Sequence, residues 1–110
     1  MITRFAIFEG RIEADKTAAF RADVLTKILP FWKKMPGALS VRVAFEESHD
    51  AGAPSFPLIL AINYPDLKAV ENIINSEARA AAAKATKEVL DMYFEGHIHH
   101  HVTQANEYVL

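Results

Sequence analysis

The residues best suited to chemistry in this 110-residue sequence are histidines near its carboxyl end. Four of the five histidines fall within residues 97–101, which read His-Ile-His-His-His. Because side chains alternate between the two faces of a β-strand, a strand here places His97, His99 and His101 on one face, about 6.5–7 Å apart. Imidazole titrates near neutral pH and can accept a substrate proton as a general base. We therefore predict that these three histidines are catalytic residues.

The same three histidines are also a candidate metal site. Two imidazoles at positions i and i+2 of a strand can bind one ion, and histidine is a common ligand of zinc, copper, iron and nickel. Glu9 is the one carboxylate that we place near His97, His99 and His101. The simpler interpretation, which we favour, is that the three imidazoles line an interior or an edge and hydrogen-bond across a dimer.

Two further polar residues interrupt apolar strands and are predicted to bind substrate. Arg42 lies on the polar face of an alternating segment, and Asn63 follows an apolar run. We expect Arg4 to share their face of the sheet, so that with the histidines they form a cationic pocket for an anionic or phenolic small molecule. The alternatives are that Arg42 pairs with Glu46 or Glu9 across strands, worth under about 1 kcal/mol, and that Asn63 bonds a backbone group.

Aromatic side chains near the ends of the predicted elements are candidates for an apolar pocket wall. Trp32 and Tyr64 are predicted to contact substrate, although aromatic residues at such spacing more often belong to a core. Arg79 lies in an alanine-rich helical segment and is expected to point to solvent or to pair with Glu77 or a nearby acid, with a role in a pocket as the alternative. The sequence contains no Ser-His-Asp set, glycine-rich phosphate loop or paired carboxylates at a recognisable spacing.

Hydrophobic periodicity predicts the elements that position these residues. Strands are predicted over 2–12, 38–45, 56–64 and 97–102, with strict alternation in the second. The first helix has a stripe at steps of four, four, three and four, namely Phe20, Val24, Ile28, Phe31 and Met35.

Capping and breaking residues mark the ends of the helices. Asp15 is the predicted N-cap of the first helix, and Pro30 should kink its last turn. The second helical stretch begins after Pro65-Asp66, restarts at Ser76 and is expected to stop at Gly96.

Composition excludes several classes of protein. The net charge is −2 and no basic run is longer than Lys33-Lys34, whereas nucleic-acid-binding domains usually have a basic stripe. The absence of cysteine rules out disulfides, thiolate nucleophiles and cysteine-based metal sites. No stretch approaches the roughly 20 apolar residues of a membrane span, and the first ten residues do not resemble a signal peptide. We expect a cytoplasmic protein that binds neither nucleic acid nor membranes.

The element order β-α-β-β-α-β predicts a single α+β domain over residues 1–110 with a ferredoxin-like fold. Right-handed crossovers place both helices on one side of a four-stranded antiparallel sheet. The other side is too apolar to face water, since we expect it to carry Ala6, Phe8, Ala44, Ile59 and Ala61. A second copy of the chain would cover it, so we predict a homodimer.

This sequence resembles the dimeric α+β barrel superfamily, which includes antibiotic-biosynthesis monooxygenases, EthD-like proteins and stress-responsive barrel proteins. The resemblance rests on the element order, on residues 29–37 (LPFWKKMPG) and on the break at residues 75–79 (NSEAR). It implies a small-molecule-binding barrel, and a monooxygenase-like enzyme that needs no cofactor and acts on an aromatic or polyketide-like compound. Two alternatives stay open: a non-enzymatic ligand-binding or stress-associated dimer, and a histidine-rich metal-binding protein.

Overall fold

The strands form one four-stranded antiparallel sheet in a computed structural model that describes all 110 residues. They are β1 (Ile2–Ile12), β2 (Ser40–Phe45), β3 (Leu58–Tyr64) and β4 (Phe94–Gln104). Their order across the sheet is β2-β3-β1-β4, and every neighbouring pair is antiparallel. This order is that of the split βαβ of ferredoxin-like folds, so the predicted fold class is confirmed.

The helical segments fill the two intervals in which helices are predicted. The first contains a 3₁₀ turn (Ala14–Lys16), α1 (Thr17–Asp23), a π-helical turn (Val24–Ile28) and α2 (Leu29–Trp32). The second contains α3 (Leu67–Ile73) and α4 (Glu77–Tyr93). The Asp66 carboxylate accepts from the Ala69 amide and the Ser76 hydroxyl accepts from the Arg79 amide, which confirms the predicted restart at Ser76. Asp15, by contrast, lies inside the 3₁₀ turn and caps no helix.

The π-helical turn corrects the predicted stripe of the first helix. A π turn holds one more residue than an α turn, so the buried series continues in steps of four to Trp32, and Phe31 is exposed. Pro30 follows this turn directly, at the start of α2. Because the helical segments are continuous, Pro30 leaves the preceding turn without one backbone donor at the junction of the π-helical turn and α2.

The helices cover one face of the sheet and leave the other bare. Even-numbered side chains of β1 and β3 are buried beneath the helices, including Ala6, Phe8 and Leu60. The prediction that Ala6 and Phe8 lie on the bare face is therefore wrong. We call the uncovered surface the open face; the register places on it Phe5, Ile7, Ile59, Ala61, Ala44, Glu9, Thr3, Asn63, Ser40, Arg42, His97, His99, His101 and Thr103.

Strand β4 begins earlier than predicted and pairs with β1 along its whole length. Helix α4 ends at Tyr93 and β4 follows at once, so Gly96 lies within a strand and does not stop the helix. Gly96 pairs with Gly10 at a close approach of the two backbones. None of the helices has the length and apolar character needed to cross a membrane.

Candidate functional site

A cavity of about 320 Å³ lies between the helices and the covered face of the sheet. Most of its wall is apolar and is contributed by both layers, among others by Ala6, Phe8, Leu60, Ile62, Ile98, Trp32, Met35, Ile73 and Leu90. Ile98 is still 38% exposed, because β4 is an edge strand with no helix above most of it. The cavity therefore opens to solvent along β4.

Three polar residues of this wall lie around Arg4, and with it they form what we call the Arg4 cluster: Arg4, Tyr64, Arg79 and His100. In the sheet register Arg4 is opposite Ile62 on β3 and opposite Val102 on β4. Tyr64 and His100 are two residues away from those partners, so they are diagonal neighbours of Arg4 on the same face. Arg79 comes from the first turns of α4 and completes the cluster from the helical layer.

The two guanidinium groups of the cluster have no acidic partner. No ion pair of the chain involves Arg4 or Arg79. Arg79 Nη1 donates to the Ile74 carbonyl at 3.0 Å, which fixes the direction of its side chain. Asp91 also lines the cavity, but its Oδ2 pairs with Lys87 Nζ at 2.7 Å. The cluster is thus an uncompensated positive site.

The surroundings alter the acid–base properties of the cluster. Partial burial lowers the pKa of Arg4, the nearby charge of Arg79 lowers it further, and Tyr64 acts in the opposite direction. Partial desolvation also lowers the pKa of His100, helped by the positive charges of Arg4 and Arg79 and by His101. These effects favour the neutral imidazole of His100, which is the form that can accept a proton.

Tyr64 supplies an unsatisfied hydroxyl. Its side chain is fully buried, and its oxygen has no hydrogen-bond partner in the protein. Burial raises the pKa of this phenol, while Arg4 acts to lower it. Buried polar atoms normally have a partner. Because Tyr64 lines the cavity, a ligand that enters deeply enough to reach this hydroxyl would supply one.

The histidines predicted to be catalytic lie on the other side of the sheet. His97, His99 and His101 share the open face, as alternation predicts, and the rings of His97 and His99 are 6.5 Å apart. His99 Nε2 is 3.3 Å from Glu9 Oε1, which is the carboxylate expected near them. Within one chain, however, no group of three or more His, Cys, Asp or Glu side chains is placed to hold a metal ion. A single chain does not form the predicted three-histidine metal site.

Asn63 and Arg42 also lie on the open face, apart from the cavity. Asn63 Nδ2 donates to Ser40 Oγ at 2.9 Å, and its Oδ1 accepts from the Thr3 hydroxyl. The partners of this amide are therefore side chains and not the expected backbone group. Arg42 forms none of the ion pairs, so the alternative pairing with Glu46 or Glu9 is absent. The structure brings Trp32 and Tyr64 into the cavity and leaves the other five predicted site residues outside it.

Sequence reasoning misplaced Arg4 and Arg79 and missed His100, and only for His100 was a signal available. His100 is two residues from Ile98 in the same strand, so an apolar Ile98 facing the helices places His100 on the same face. Arg4 has the parity of Phe8, and both were placed on the wrong face because β1 is apolar at odd and even positions alike. Arg79 was expected in solvent or paired with Glu77, but it is half-buried in the cavity wall, and no sequence pattern indicated this.

No protein-family model and no curated protein matches the sequence. Solved structures nevertheless share the fold. An EthD family protein from Bacillus halodurans superposes with a TM-score of 0.74 at 15% identity, covering 96% of this chain and 100% of that chain. SnoaB, a cofactor-independent oxygenase from Streptomyces nogalater, gives a TM-score of 0.63 at 12% identity, covering 98% and 95%.

A dimeric protein of unknown function with a ferredoxin-like fold from Bacteroides fragilis gives a TM-score of 0.64 at 13% identity, covering 94% of this chain and 95% of that chain. The fold is thus shared with EthD-like and antibiotic-biosynthesis-type monooxygenase structures, which confirms the predicted resemblance at the level of fold. Fold alone does not give the reaction, which has to be argued from the site.

Proposed function

We propose that this chain is an oxygenase-like enzyme that needs no cofactor and oxidises a small aromatic or polyketide-like compound. The observation that carries the proposal is the position of the Arg4 cluster in the wall of an otherwise apolar cavity. Apolar pockets with a few convergent polar groups are the usual sites for small molecules. The fold shared with SnoaB, itself a cofactor-independent oxygenase, supports the reaction class.

In the proposed reaction His100 accepts a proton from an acidic group of the substrate, because its surroundings favour the neutral imidazole. Arg4 and Arg79 stabilise the resulting anion, and the Tyr64 hydroxyl donates a hydrogen bond to it. The electron-rich anion then reacts with O₂. One oxygen atom enters the product and the other leaves as water, and the substrate loses two hydrogens and supplies all the electrons, so no external reductant is consumed.

We also propose that the enzyme is a homodimer in which a second copy covers the open face. Phe5, Ile7, Ile59 and Ala61 are only half-buried in the single chain, although they are apolar and adjacent in the register. Covering them would remove apolar surface from water. The dimeric Bacteroides fragilis structure of the same fold supports this arrangement.

The roles predicted for the open-face residues stay predictions within this dimer. His97, His99, His101, Asn63 and Arg42 would lie between the two sheets, where His99 and Glu9 already interact. Binding without turnover is the second candidate function. It is favoured by the unpartnered Tyr64 hydroxyl, because a ligand that is never transformed would satisfy it equally well.

Oxygen consumption tests the proposal. We suggest anthrone as the probe, because loss of a methylene proton gives an aromatic anion, and its oxidation by O₂ yields anthraquinone and water. The protein should accelerate oxygen uptake well above the rate in buffer, and His100→Ala should remove most of that acceleration, about a hundred-fold for a lost general base. His49→Ala, in an exposed loop, is the matched control.

Three outcomes separate the candidates. Acceleration that disappears in the His100→Ala variant supports the enzyme. Tight binding of anthrone with oxygen uptake no faster than in buffer contradicts it and favours the ligand-binding protein. Acceleration that is unchanged in His100→Ala but lost in His99→Ala would move catalysis to the open face.

A further inference from the structure

The charge of the cavity identifies a class of substrate. We infer that the ligand carries a carboxylate, which pairs with the guanidinium groups of Arg4 and Arg79 and accepts a hydrogen bond from Tyr64, while its ring lies against Phe8, Trp32 and Ile98. This inference deepens the proposed function and rests on it for the identity of the site. It goes further in adding to the oxidised ring system a carboxylate that is ionised before any reaction begins and that strengthens binding.

The first reason is the unbalanced positive charge of the cavity. Two guanidinium groups line one apolar cavity, and neither is paired with a carboxylate of the protein. They repel each other, and this repulsion is part of the reason for the lowered pKa of Arg4. Proton transfer to His100 does not change the total charge of the site, because the anion that it forms is offset by the new imidazolium. Only a ligand that arrives already ionised, such as a carboxylate, reduces the net positive charge of the two guanidinium groups.

The second reason is the arrangement of the hydrogen-bond donors in the cavity wall. Guanidinium groups bind carboxylates through two parallel N–H donors, which makes arginine better suited than lysine to this task. Arg79 is held by the Ile74 carbonyl through Nη1, which leaves other donors of its fork free. The buried Tyr64 hydroxyl has no partner in the protein and is a diagonal neighbour of Arg4 in the sheet. Both arginines and this hydroxyl can therefore donate to one carboxylate.

Matched probes test the inference by calorimetry, without any need for turnover. We suggest 2-naphthoate and 2-naphthalenemethanol, which share the ring and differ in charge. The full-length protein should bind the acid at least ten-fold more tightly than the alcohol. Arg4→Met and Arg79→Met should each weaken binding of the acid by about ten- to a hundred-fold, the range expected for a charge-assisted hydrogen bond, and leave binding of the alcohol unchanged.

Arg11→Met is the matched control, because Arg11 is an exposed arginine of β1 that does not line the cavity. It should change neither affinity. Arg4→Lys keeps the charge without the fork and should recover part of the affinity, which separates a lost anion contact from a misfolded protein. Circular dichroism of each variant supports that distinction.

The possible negative results contradict different proposals. Equal affinity for the acid and the alcohol, no detectable binding of the acid at millimolar concentration, or an equal loss in Arg11→Met would overturn the carboxylate subsite. If the acid binds as expected while anthrone consumes no oxygen, the oxygenase proposal fails and the subsite stands. If anthrone is oxidised but the acid has no preference, the subsite alone fails.

Discussion

Two tyrosines of this chain have hydroxyls in opposite situations. The Tyr93 hydroxyl donates to Asp23 Oδ2 at 2.7 Å, and this hydrogen bond raises the pKa of Tyr93 and lowers that of Asp23. The Tyr64 hydroxyl is buried and has no partner. Because leaving a buried hydroxyl unpaired costs about 1–3 kcal/mol, residue type alone does not decide whether a tyrosine stabilises the fold.

Replacing these two tyrosines by phenylalanine should therefore have opposite effects on stability. Tyr64→Phe removes an unsatisfied hydroxyl and should raise the free energy of unfolding by about 1 kcal/mol, while weakening binding of 2-naphthoate. Tyr93→Phe removes a satisfied hydrogen bond and should lower the free energy of unfolding by a similar amount. Urea unfolding followed by circular dichroism measures both. A loss of stability in Tyr64→Phe would show that its hydroxyl has a partner in solution.

His100 should titrate abnormally. Partial desolvation and the charges of Arg4 and Arg79 disfavour the imidazolium, so the pKa of His100 should lie below the ordinary value of about 6.5. Because the folded-state value is the lower one, the unfolded chain takes up a proton first as pH falls, and this residue lowers stability below pH 6.5.

Proton NMR of the histidine ring signals, assigned with a His100→Gln variant, measures this value. Binding of 2-naphthoate should raise it, because a carboxylate offsets the two guanidinium charges. A midpoint at or above 6.5 in the free protein would contradict the electrostatic description of the cavity.

At the scale of elements, β1 and β4 approach each other most closely at one pair of glycines. Gly10 and Gly96 are paired, and both have φ of +157°. A Cβ added at Gly96 would lie 2.1 Å from the Glu9 carbonyl oxygen and 2.7 Å from Gly10 Cα. Backbone atoms cannot move aside as a flexible side chain can, so this crossing requires glycine on both strands.

Gly96→Ala should consequently destabilise the protein by at least about 2 kcal/mol, the sum of backbone strain and a steric clash. Gly52→Ala is the matched control, because Gly52 also has a positive φ, of +83°, but has open space around it. The free energy of unfolding of Gly52→Ala should fall only by the cost of the backbone conformation, about 1 kcal/mol. Thermal unfolding compares the two variants. An equal loss of stability in the two variants would mean that the contact between β1 and β4 relaxes without an energetic cost.

At the scale of the whole molecule, the sheet separates two sets of polar residues. The Arg4 cluster lies under the helices, and the three predicted histidines lie with Glu9, Asn63 and Arg42 on the open face. The first set lies in a cavity that one chain forms by itself. The second set can be covered only by another chain, so the proposed homodimer would remove those side chains from water.

A charge placed in the open face should therefore prevent dimerisation. Ile7→Glu puts a carboxylate among half-buried apolar side chains, and sedimentation velocity at low micromolar concentration should show a monomer that keeps native circular dichroism. Leu67→Glu is the control, since Leu67 is 54% exposed on α3, and it should remain a dimer. A wild-type protein that sediments as a monomer would remove the dimer from the proposal.

The sequence by itself determined the order and type of the elements. Alternation in β2, the caps at Asp66 and Ser76 and the apolar stripe of the first helix are local patterns, and local patterns depend on short-range sterics and hydrogen bonding. Even the shared face of His97, His99 and His101 follows from the two-residue period of a strand.

Only the tertiary structure decided which face meets the helices and which residues form the site. Strand β1 is apolar on both sides, so its pattern could not show that Ala6 and Phe8 pack under the helices while Phe5 and Ile7 do not. Arg4, Arg79 and His100 are far apart in sequence, and they meet through strand pairing and the packing of α4 over the sheet. Such long-range contacts follow from the packing of whole elements, and local sequence patterns do not predict them.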